Sequence, residues 1–235
     1  MTGSLRMSRE RGIWCARPAS AIEPPRVLPL APRRAQAIAA RARPTRRPET
    51  AMLVEDTPIA GLRIVTPRRF GDPRGFFSET WSSRAFEAVA PGARFVQDNH
   101  SLSLRAGTIR GLHYQSPPHA QGKLVHCVRG SIWDAAVDVR IGSPTFGNWF
   151  GIELSADNGR QLWIPEGFLH GFITLVPNVE VIYKCTAFYE QKADGAVKWD
   201  SCGVDWPPLK PILSDKDFSA QRFENWSSPF RYLIG

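Results

Sequence analysis

The sequence predicts an all-β fold, because short apolar runs recur at nearly even spacing and turn-forming clusters separate them. The run 131–139 shows the strand period: Trp133, Ala135 and Val137 share one face, and Asp134 lies on the other. Many short strands of this kind are typical of a sandwich or a barrel. The predicted strands are 62–66, 75–82, 123–129, 131–139, 149–154, 161–164, 171–176 and 179–187.

Turn signals justify the boundaries of these elements. Gly71-Asp72-Pro73 precedes the run 75–82, and Gly130 joins two runs into a predicted hairpin. Residues 84–89 are expected to form one or two helical turns. From Pro207 onward the chain is rich in proline, serine and aspartate, which predicts short helices that wrap the barrel.

Charge divides the chain into two unlike parts. Residues 1–50 hold eleven arginines and three acidic residues, which accounts for the whole formal net charge of +8. This extension, taken as 1–51, is rich in Arg, Pro and Ala and cannot bury enough surface to offset the entropy of ordering, so disorder is expected. Its composition fits a transit peptide, a nucleic-acid arm or, as favoured here, sequence upstream of a true start at Met52.

The remainder, 52–235, is expected to be one domain with a sizeable core. Its basic and acidic residues balance, so no nucleic-acid partner is expected. No apolar stretch reaches the roughly 18 residues of a membrane span, so no membrane association is expected. The cysteines lack metal-site spacing, which predicts reduced thiols in a cytoplasmic protein.

Two histidine motifs indicate the kind of barrel. The stretch from Gly159 to His170 has the glycine, proline and histidine spacing of the second signature of the cupin barrels. The stretch from Gly107 to His113 matches the start of the first signature. The predicted fold is therefore a cupin-type double-stranded β-helix, or jelly-roll barrel, with one polar site in its mouth and short C-terminal helices.

A metal site is the first chemistry to weigh, since cupins often bind a metal through two nearby histidines, a glutamate and a later histidine. Only His113 and His170 remain of those four ligands. Gln115 occupies the second position, and the acidic position falls at His119 or Ala120. A catalytic metal usually has at least three protein ligands. No metal and no other cofactor is therefore expected.

The remaining polar residues suit proton transfer. Histidine is the usual general base near neutral pH, which favours His113 with a carboxylate that orients its ring. Lys123 lies among apolar residues, where a developing oxyanion would stabilise its ammonium, and Tyr183 is placed to deliver a proton from the other side of a substrate. Taken singly, each is more simply a structural histidine, a surface lysine or a core tyrosine. Only their joint occurrence favours catalysis.

Several stretches in a fixed order identify a family. They are Gly71-Asp72-Pro73-Arg74-Gly75-Phe76-Phe77, Phe95-Val96-Gln97-Asp98-Asn99-His100-Ser101, Arg110-Gly111-Leu112-His113-Tyr114-Gln115, Gln121-Gly122-Lys123, Val137-Asp138-Val139-Arg140, Ser143-Pro144-Thr145-Phe146-Gly147, Ile164-Pro165-Glu166-Gly167, Tyr183-Lys184 and Ser214-Asp215-Lys216-Asp217. With these motifs the chain closely resembles the dTDP-4-dehydrorhamnose 3,5-epimerase family over 58–220.

The resemblance implies a metal-independent epimerase that inverts C3 and C5 of dTDP-4-dehydro-6-deoxy-D-glucose. The product would be dTDP-4-dehydro-L-rhamnose, a precursor in L-rhamnose biosynthesis. By the resemblance, His113 paired with Asp217 is the base, and Lys123 stabilises the enolate at O4. Tyr183 is the acid that protonates the opposite face.

The resemblance also implies contacts to the nucleotide sugar and a mode of assembly. The implied contact residues are Arg74, Phe77, Glu79, Gln97, Asn99, Arg110, His170 and Tyr189. Arginine suits the diphosphate because its planar guanidinium binds oxyanions through paired hydrogen bonds. The family forms homodimers in which an N-terminal strand pairs with the partner, so a homodimer is expected.

The sequence departs from the family pattern at 199–207, which is slightly shorter than usual and lies just before Asp217. Three other functions remain open: a mono-epimerase of the same superfamily, a metal-dependent cupin and a non-catalytic sugar-binding cupin. Tyr183 argues against the mono-epimerase, since loss of the acid is a simple way to limit the outcome. A base and an acid together argue against a pure binder.

Overall fold

The computed structural model describes residues 52–232, in which two antiparallel sheets pack face to face as a barrel. The strands are β1 (Met52–Asp56), β2 (Arg63–Pro67), β3 (Phe70–Asp72), β4 (Gly75–Phe77), β5 (Gln97–Ser103), β6 (Ile109–Gln115), β7 (Lys123–Arg129), β8 (Ser131–Asp138), β9 (Trp149–Ser155), β10 (Gln161–Ile164), β11 (Phe168–Thr174), β12 (Val179–Cys185) and β13 (Asp194–Ala196). The helices are α1 (Ser83–Phe86) and α2 (Asp215–Phe218), with a 3₁₀ turn at Phe223–Asn225.

Strand order places distant parts of the chain side by side. One sheet has six strands in the order β1-β2-β10-β7-β12-β5, and the other has five in the order β13-β6-β11-β8-β9. Strands β3 and β4 pair only with each other. Alternate residues of both larger sheets point inward and form one apolar core, which includes Val125, Leu162 and Val181 from the first sheet and Ile132 and Leu154 from the second.

Both sheets are also covered on parts of their outer faces. Helix α1 buries Phe86 against Trp163 of the six-stranded sheet, with ring centroids 5.3 Å apart. On the five-stranded sheet, Val137 and Leu169 pack with C-terminal residues such as Phe230. Burying one such side chain contributes on the order of 1.5–3 kcal/mol. The C-terminal segment therefore wraps the barrel, as expected from its sequence.

The all-β barrel of the cupin type is confirmed, and several strands match their predicted bounds. The predictions 123–129 and 161–164 coincide with β7 and β10. The predicted strand 75–82 is wrong beyond Phe77, because β4 ends there and the following residues lead into α1. The predictions for 1–51 lie outside the described residues.

Strands β5 and β6 were not predicted, and their surroundings explain why. Strand β5 contains only one large apolar residue, Leu102, because its inner face points toward a polar cavity and its outer face toward solvent. Strand β6 contains Gly111 near its middle, and glycine weakens the sequence signal of a strand. In the described part of the chain, no helix has the length and apolar character needed to span a membrane.

Candidate active site

Two histidines are brought together by the pairing of β6 with β11. In this register His113 lies opposite His170. The strands approach closely at two glycines: a Cβ on Gly111 would lie 2.5 Å from the Cα of Gly171, closer than real Cβ atoms come. Gly111 also has a φ of +139°, which L side chains rarely adopt. The glycines that frame the histidine motifs therefore set the spacing of this wall.

His113 is held by a buried carboxylate from outside the barrel sheets. Its Nε2 lies 2.5 Å from Oδ1 of Asp217, whose side chain is only 4% exposed. Asp217 lies in the first turn of α2, where its backbone N–H donates to the hydroxyl of the N-cap residue Ser214. The predicted His113–Asp217 pair is therefore present, despite the short segment 199–207.

The charge of Asp217 is favoured by its neighbours. Burial opposes ionisation, but hydrogen bonds from His113, Ser214 and the backbone of Gly111, together with the attraction of His113, hold the pKa of Asp217 below its ordinary value of 3.8. A charged carboxylate at this position orients the imidazole and stabilises its protonated form.

A second histidine–carboxylate pair was not predicted. His170 Nε2 lies 2.9 Å from Oδ2 and 3.1 Å from Oδ1 of Asp134, a carboxylate with no exposed surface. The signal for Asp134 was present in the sequence, since the alternation of β8 places it opposite the apolar face of that strand. Asp138 lies on the same face of β8 but accepts hydrogen bonds from Arg140 and Ser143 instead, so the alternation alone does not identify which aspartate belongs to the site.

The opposite wall belongs to the six-stranded sheet. Strand β12 pairs with β7, so that Cys185 lies opposite Lys123 and Tyr183 lies opposite Val125. The Nζ of Lys123 is 6.0 Å from the ring centroid of Tyr183. Both polar groups therefore project from neighbouring strands into the space between the sheets.

Burial shifts the pKa of both groups. It is the main influence on Lys123 and lowers the pKa of its ammonium below 10.5, although Cys185, Asp194 and Asp134 partly oppose the shift. Burial likewise raises the pKa of the Tyr183 phenol above 10.0. Tyr183 therefore keeps its proton at neutral pH.

The two walls enclose a cavity of ≈ 370 Å³. His113, His170 and Asp217 line one side, and Lys123 and Tyr183 line the other. Its remaining lining residues, which were not predicted as site residues apart from Arg110, are Ser101, Thr108, Ile109, Arg110, Phe172, Ile212, Leu213 and Ser214. The imidazole of His113 and the phenol of Tyr183 thus face a common space from different sheets.

The predicted substrate contacts divide into three groups. Arg110 lines the cavity, and its guanidinium donates to the Ser103 hydroxyl and the Leu102 carbonyl. The second group is a small network outside the cavity lining, in which the Gln97 side chain donates to Asn99 at 3.0 Å and accepts from the backbone N–H of Tyr189 at 2.8 Å.

The third group lies on the hairpin of β3 and β4 and the residues just after it. Arg74, Phe77 and Glu79 are all exposed, and none of them lines the cavity. Arg74 pairs with Asp72 of the same hairpin. Phe77 is 71% exposed. The structure therefore does not bring these three predicted contacts to the site within one chain.

Gln115, at the position where a metal-binding cupin has its second ligand, makes hydrogen bonds to backbone groups instead. The amide nitrogen of Gln115 donates to the carbonyls of His119 and Phe188, and its amide oxygen accepts from the backbone N–H of Glu190. Gln115 thus joins β6 to the loop before β13. Within residues 52–232 there is no cluster of three or more His, Cys, Asp or Glu side chains suited to a metal ion.

This arrangement is suited to moving protons on either side of a bound molecule. A histidine oriented by a carboxylate can accept a proton, and a protonated phenol across the cavity can donate one. Beside the phenol, an ammonium in a partly desolvated wall can stabilise negative charge on an oxygen. The constellation therefore fits a reaction through a carbanion or an enolate.

Comparison with known proteins points to one family. A family model described as dTDP-4-dehydrorhamnose 3,5-epimerase matches residues 56–225. The dTDP-4-dehydrorhamnose 3,5-epimerase of Shigella flexneri is 51% identical over 175 residues, which covers 73% of this chain and 96% of that protein.

Solved structures give the same picture. A dTDP-6-deoxy-D-glucose-3,5-epimerase from Legionella pneumophila, in complex with dTDP-4-keto-L-rhamnose, is 42% identical with a TM-score of 0.74 and covers 78% of this chain and 100% of that one. A more distant structure is a 3′-monoepimerase from Streptomyces bikiniensis in complex with dTDP-quinovose. It is 32% identical with a TM-score of 0.67, and the match covers 72% of this chain and 86% of that one.

Proposed function

This chain belongs to the dTDP-4-dehydrorhamnose 3,5-epimerase family, a family of isomerases, and we propose that it inverts both C3 and C5 of dTDP-4-dehydro-6-deoxy-D-glucose. The product is dTDP-4-dehydro-L-rhamnose, for L-rhamnose biosynthesis. One observation carries the proposal: His113 and Tyr183 come from different sheets and line the same cavity, with Lys123 beside Tyr183.

His113 acts as the base. The 4-keto group of the substrate acidifies the protons at C3 and C5, because their removal leaves an enolate. The imidazole takes the proton, and the carboxylate of Asp217, 2.5 Å from its Nε2, stabilises the resulting imidazolium. General base catalysis of this kind contributes on the order of 10²- to 10⁴-fold in rate.

Lys123 and His170 stabilise the negative charge that appears at O4. Lys123 lies in a wall where burial disfavours its ammonium, so an oxyanion beside it relieves an existing cost. His170 lines the same cavity and is fixed by Asp134. Lys123 thus approaches the enolate oxygen from the six-stranded sheet, and His170 approaches it from the five-stranded sheet.

Tyr183 completes each inversion. Its phenol donates a proton to the face opposite His113 and becomes a phenolate, so the carbon is rebuilt with the other configuration. The raised pKa of Tyr183 supports this role, since the group holds its proton until the enolate forms. The reaction is metal-independent in this proposal. The second ligand position supports this, because the side-chain amide of Gln115 is used there for hydrogen bonds to backbone groups.

The nucleotide part of the substrate is proposed to lie toward Arg110, Gln97, Asn99 and Tyr189. Arg110 lines the cavity and offers a guanidinium for the diphosphate. We further propose a homodimer in which the hairpin of β3 and β4 reaches the site of a second copy. That arrangement would give Arg74, Phe77 and Glu79 their predicted contacts, and it would cover the exposed ring of Phe77.

A cytoplasmic location is proposed as well. Cys127, Cys185 and Cys202 are buried and unpaired, which suits a reducing compartment. No nucleic-acid or membrane partner is proposed, because the charges of 52–235 balance.

A mono-epimerase is the second candidate, and the Streptomyces bikiniensis structure is the observation that favours it. The test is proton NMR of the enzyme with dTDP-4-dehydro-6-deoxy-D-glucose in deuterated water. The proposed function requires deuterium and inversion at both C3 and C5. Inversion at one carbon alone would support the mono-epimerase, and no reaction would reject both.

A further inference from the structure

A second, much smaller cavity adjoins the main one. Its volume is ≈ 10 Å³, and its lining includes His113, Lys123 and His170, which also line the main cavity. Roughly 10–15 Å³ is enough for one water molecule where polar groups are present to bind it. We call this space the inner chamber; Gln121, Gly167 and Phe230 also line it.

Two residues of the inner chamber also line an open groove. These residues, Gly167 and Phe230, line it together with Arg140 and Tyr232. The groove does not include any of the three polar residues that the chamber shares with the main cavity.

The proposed reaction creates a need for such a space. After one inversion His113 holds an extra proton and Tyr183 lacks one, so the pair cannot act again until both are reset. A sugar bound between them blocks the direct path across the main cavity. Inversion of both carbons in one binding event therefore requires a route around the substrate.

We propose that the inner chamber holds a single water molecule that resets His113 and Tyr183 between the two inversions. Lys123 gives a proton to the Tyr183 phenolate and becomes a neutral amine. The water takes the extra proton from the His113 imidazolium and gives one to Lys123. One proton leaves the histidine and one reaches the tyrosine, so the charge of the site is unchanged. This inference rests on the proposed function.

The hydrogen bonds of the site leave the required groups available. Each histidine uses Nε2 for its carboxylate, His113 with Asp217 and His170 with Asp134. Among residues 52–232, no protein group makes a hydrogen bond to the Nδ1 of either ring. Lys123 lines both cavities and lies 6.0 Å from the Tyr183 ring centroid. It is therefore placed to connect the chamber with the phenol.

Phe230 offers a test that leaves the catalytic groups intact. In Phe230→Trp the added ring is larger than the chamber and displaces its water. The variant is mixed with substrate in the presence of excess dTDP, so that a released intermediate does not bind again. We expect the share of singly inverted product to rise several-fold over that of the unaltered protein. Phe230→Leu, which loses packing at the same place without filling the chamber, should leave the share unchanged.

Each outcome bears on a different claim. If the unaltered protein does not invert two carbons, the proposed function fails. If it does and folded Phe230→Trp gives an unchanged product ratio, the relay is wrong while the function stands. If Phe230→Trp does not fold, a high-resolution crystal structure of the unaltered protein decides. A water in the chamber that is bound to both His113 and Lys123 supports the relay, and a chamber without such a water rejects it.

Discussion

Asp217 Oδ1 lies 2.5 Å from His113 Nε2, although 104 residues separate the two in the chain. His113 is fixed in the middle of a barrel strand, whereas Asp217 arrives from α2 after the chain has left both sheets. The orientation of the His113 imidazole therefore depends on a short helix outside the barrel. Changes in that helix should affect catalysis without disturbing the core.

Replacement of Asp217 by asparagine keeps the shape of the side chain and removes its charge. The imidazolium then loses its stabilising partner, so kcat should fall by about 10²-fold or more. Steady-state kinetics checks this. Asp215→Asn provides the matched control, because Asp215 is an exposed residue of the same helix and should leave kcat nearly unchanged. Equal losses in both variants would indicate a general effect on α2.

Acid should weaken the fold through Asp217. Its pKa is lower in the folded chain than its ordinary value of 3.8, so the charged form contributes stability above that value. That contribution is lost as the pH falls from 3.8 through the folded pKa. Urea unfolding at neutral and acidic pH should therefore show a smaller loss of unfolding free energy in Asp217→Asn than in the unaltered protein. If the unfolding free energies of both proteins depended on pH in the same way, the acid sensitivity would not come from Asp217.

Lys123 should show opposite effects on stability and on activity. Burial disfavours its ammonium, so Lys123→Met should raise the melting temperature at neutral pH. The same change removes the group that we propose to stabilise the enolate, so kcat should fall by about 10²- to 10³-fold. Calorimetry and kinetics on one preparation measure both. A variant that is active and no more stable would place Lys123 outside the site.

Gly111→Ala should destabilise the wall that carries the histidines. The new Cβ would lie 2.5 Å from Gly171 Cα, and the backbone conformation is also unfavourable for alanine. Gly142→Ala is the control, because Gly142 has a positive φ of +89° but open space around its Cβ position. The control should cost about 1–3 kcal/mol of unfolding free energy from backbone strain alone, and Gly111→Ala should cost more. Urea titration compares them.

The sequence is sufficient to predict the barrel, and the four residues that it singles out as catalytic candidates all line one cavity. Alternation and turn signals locate strands such as β7 and β10, because these strands carry apolar residues on the face that packs into the core. Strand β5 gives no such signal, since one of its faces meets a polar cavity and the other meets solvent. A strand that builds a polar site lacks the apolar pattern by which strands are recognised.

Other parts of the site are long-range properties. Asp134 cannot be predicted as the partner of His170 from the sequence, because their contact depends on the pairing of β8 with β11. The inner chamber likewise depends on side chains from several strands and the C-terminal segment. Arg74 and Phe77 show the reverse problem: the family motif identifies them as contacts, yet within one chain they lie away from the cavity.

The opposed roles of His113 and Tyr183 are tested most directly by Tyr183→Phe, incubated with dTDP-4-dehydro-6-deoxy-D-glucose in deuterated water and followed by NMR. We expect deuterium to enter at C3 and C5 without inversion, because the base still exchanges protons while the acid on the other face is gone. His113→Ala should incorporate no deuterium at either carbon. Inversion of both carbons by Tyr183→Phe at the wild-type rate, or exchange at both by His113→Ala, would contradict these roles.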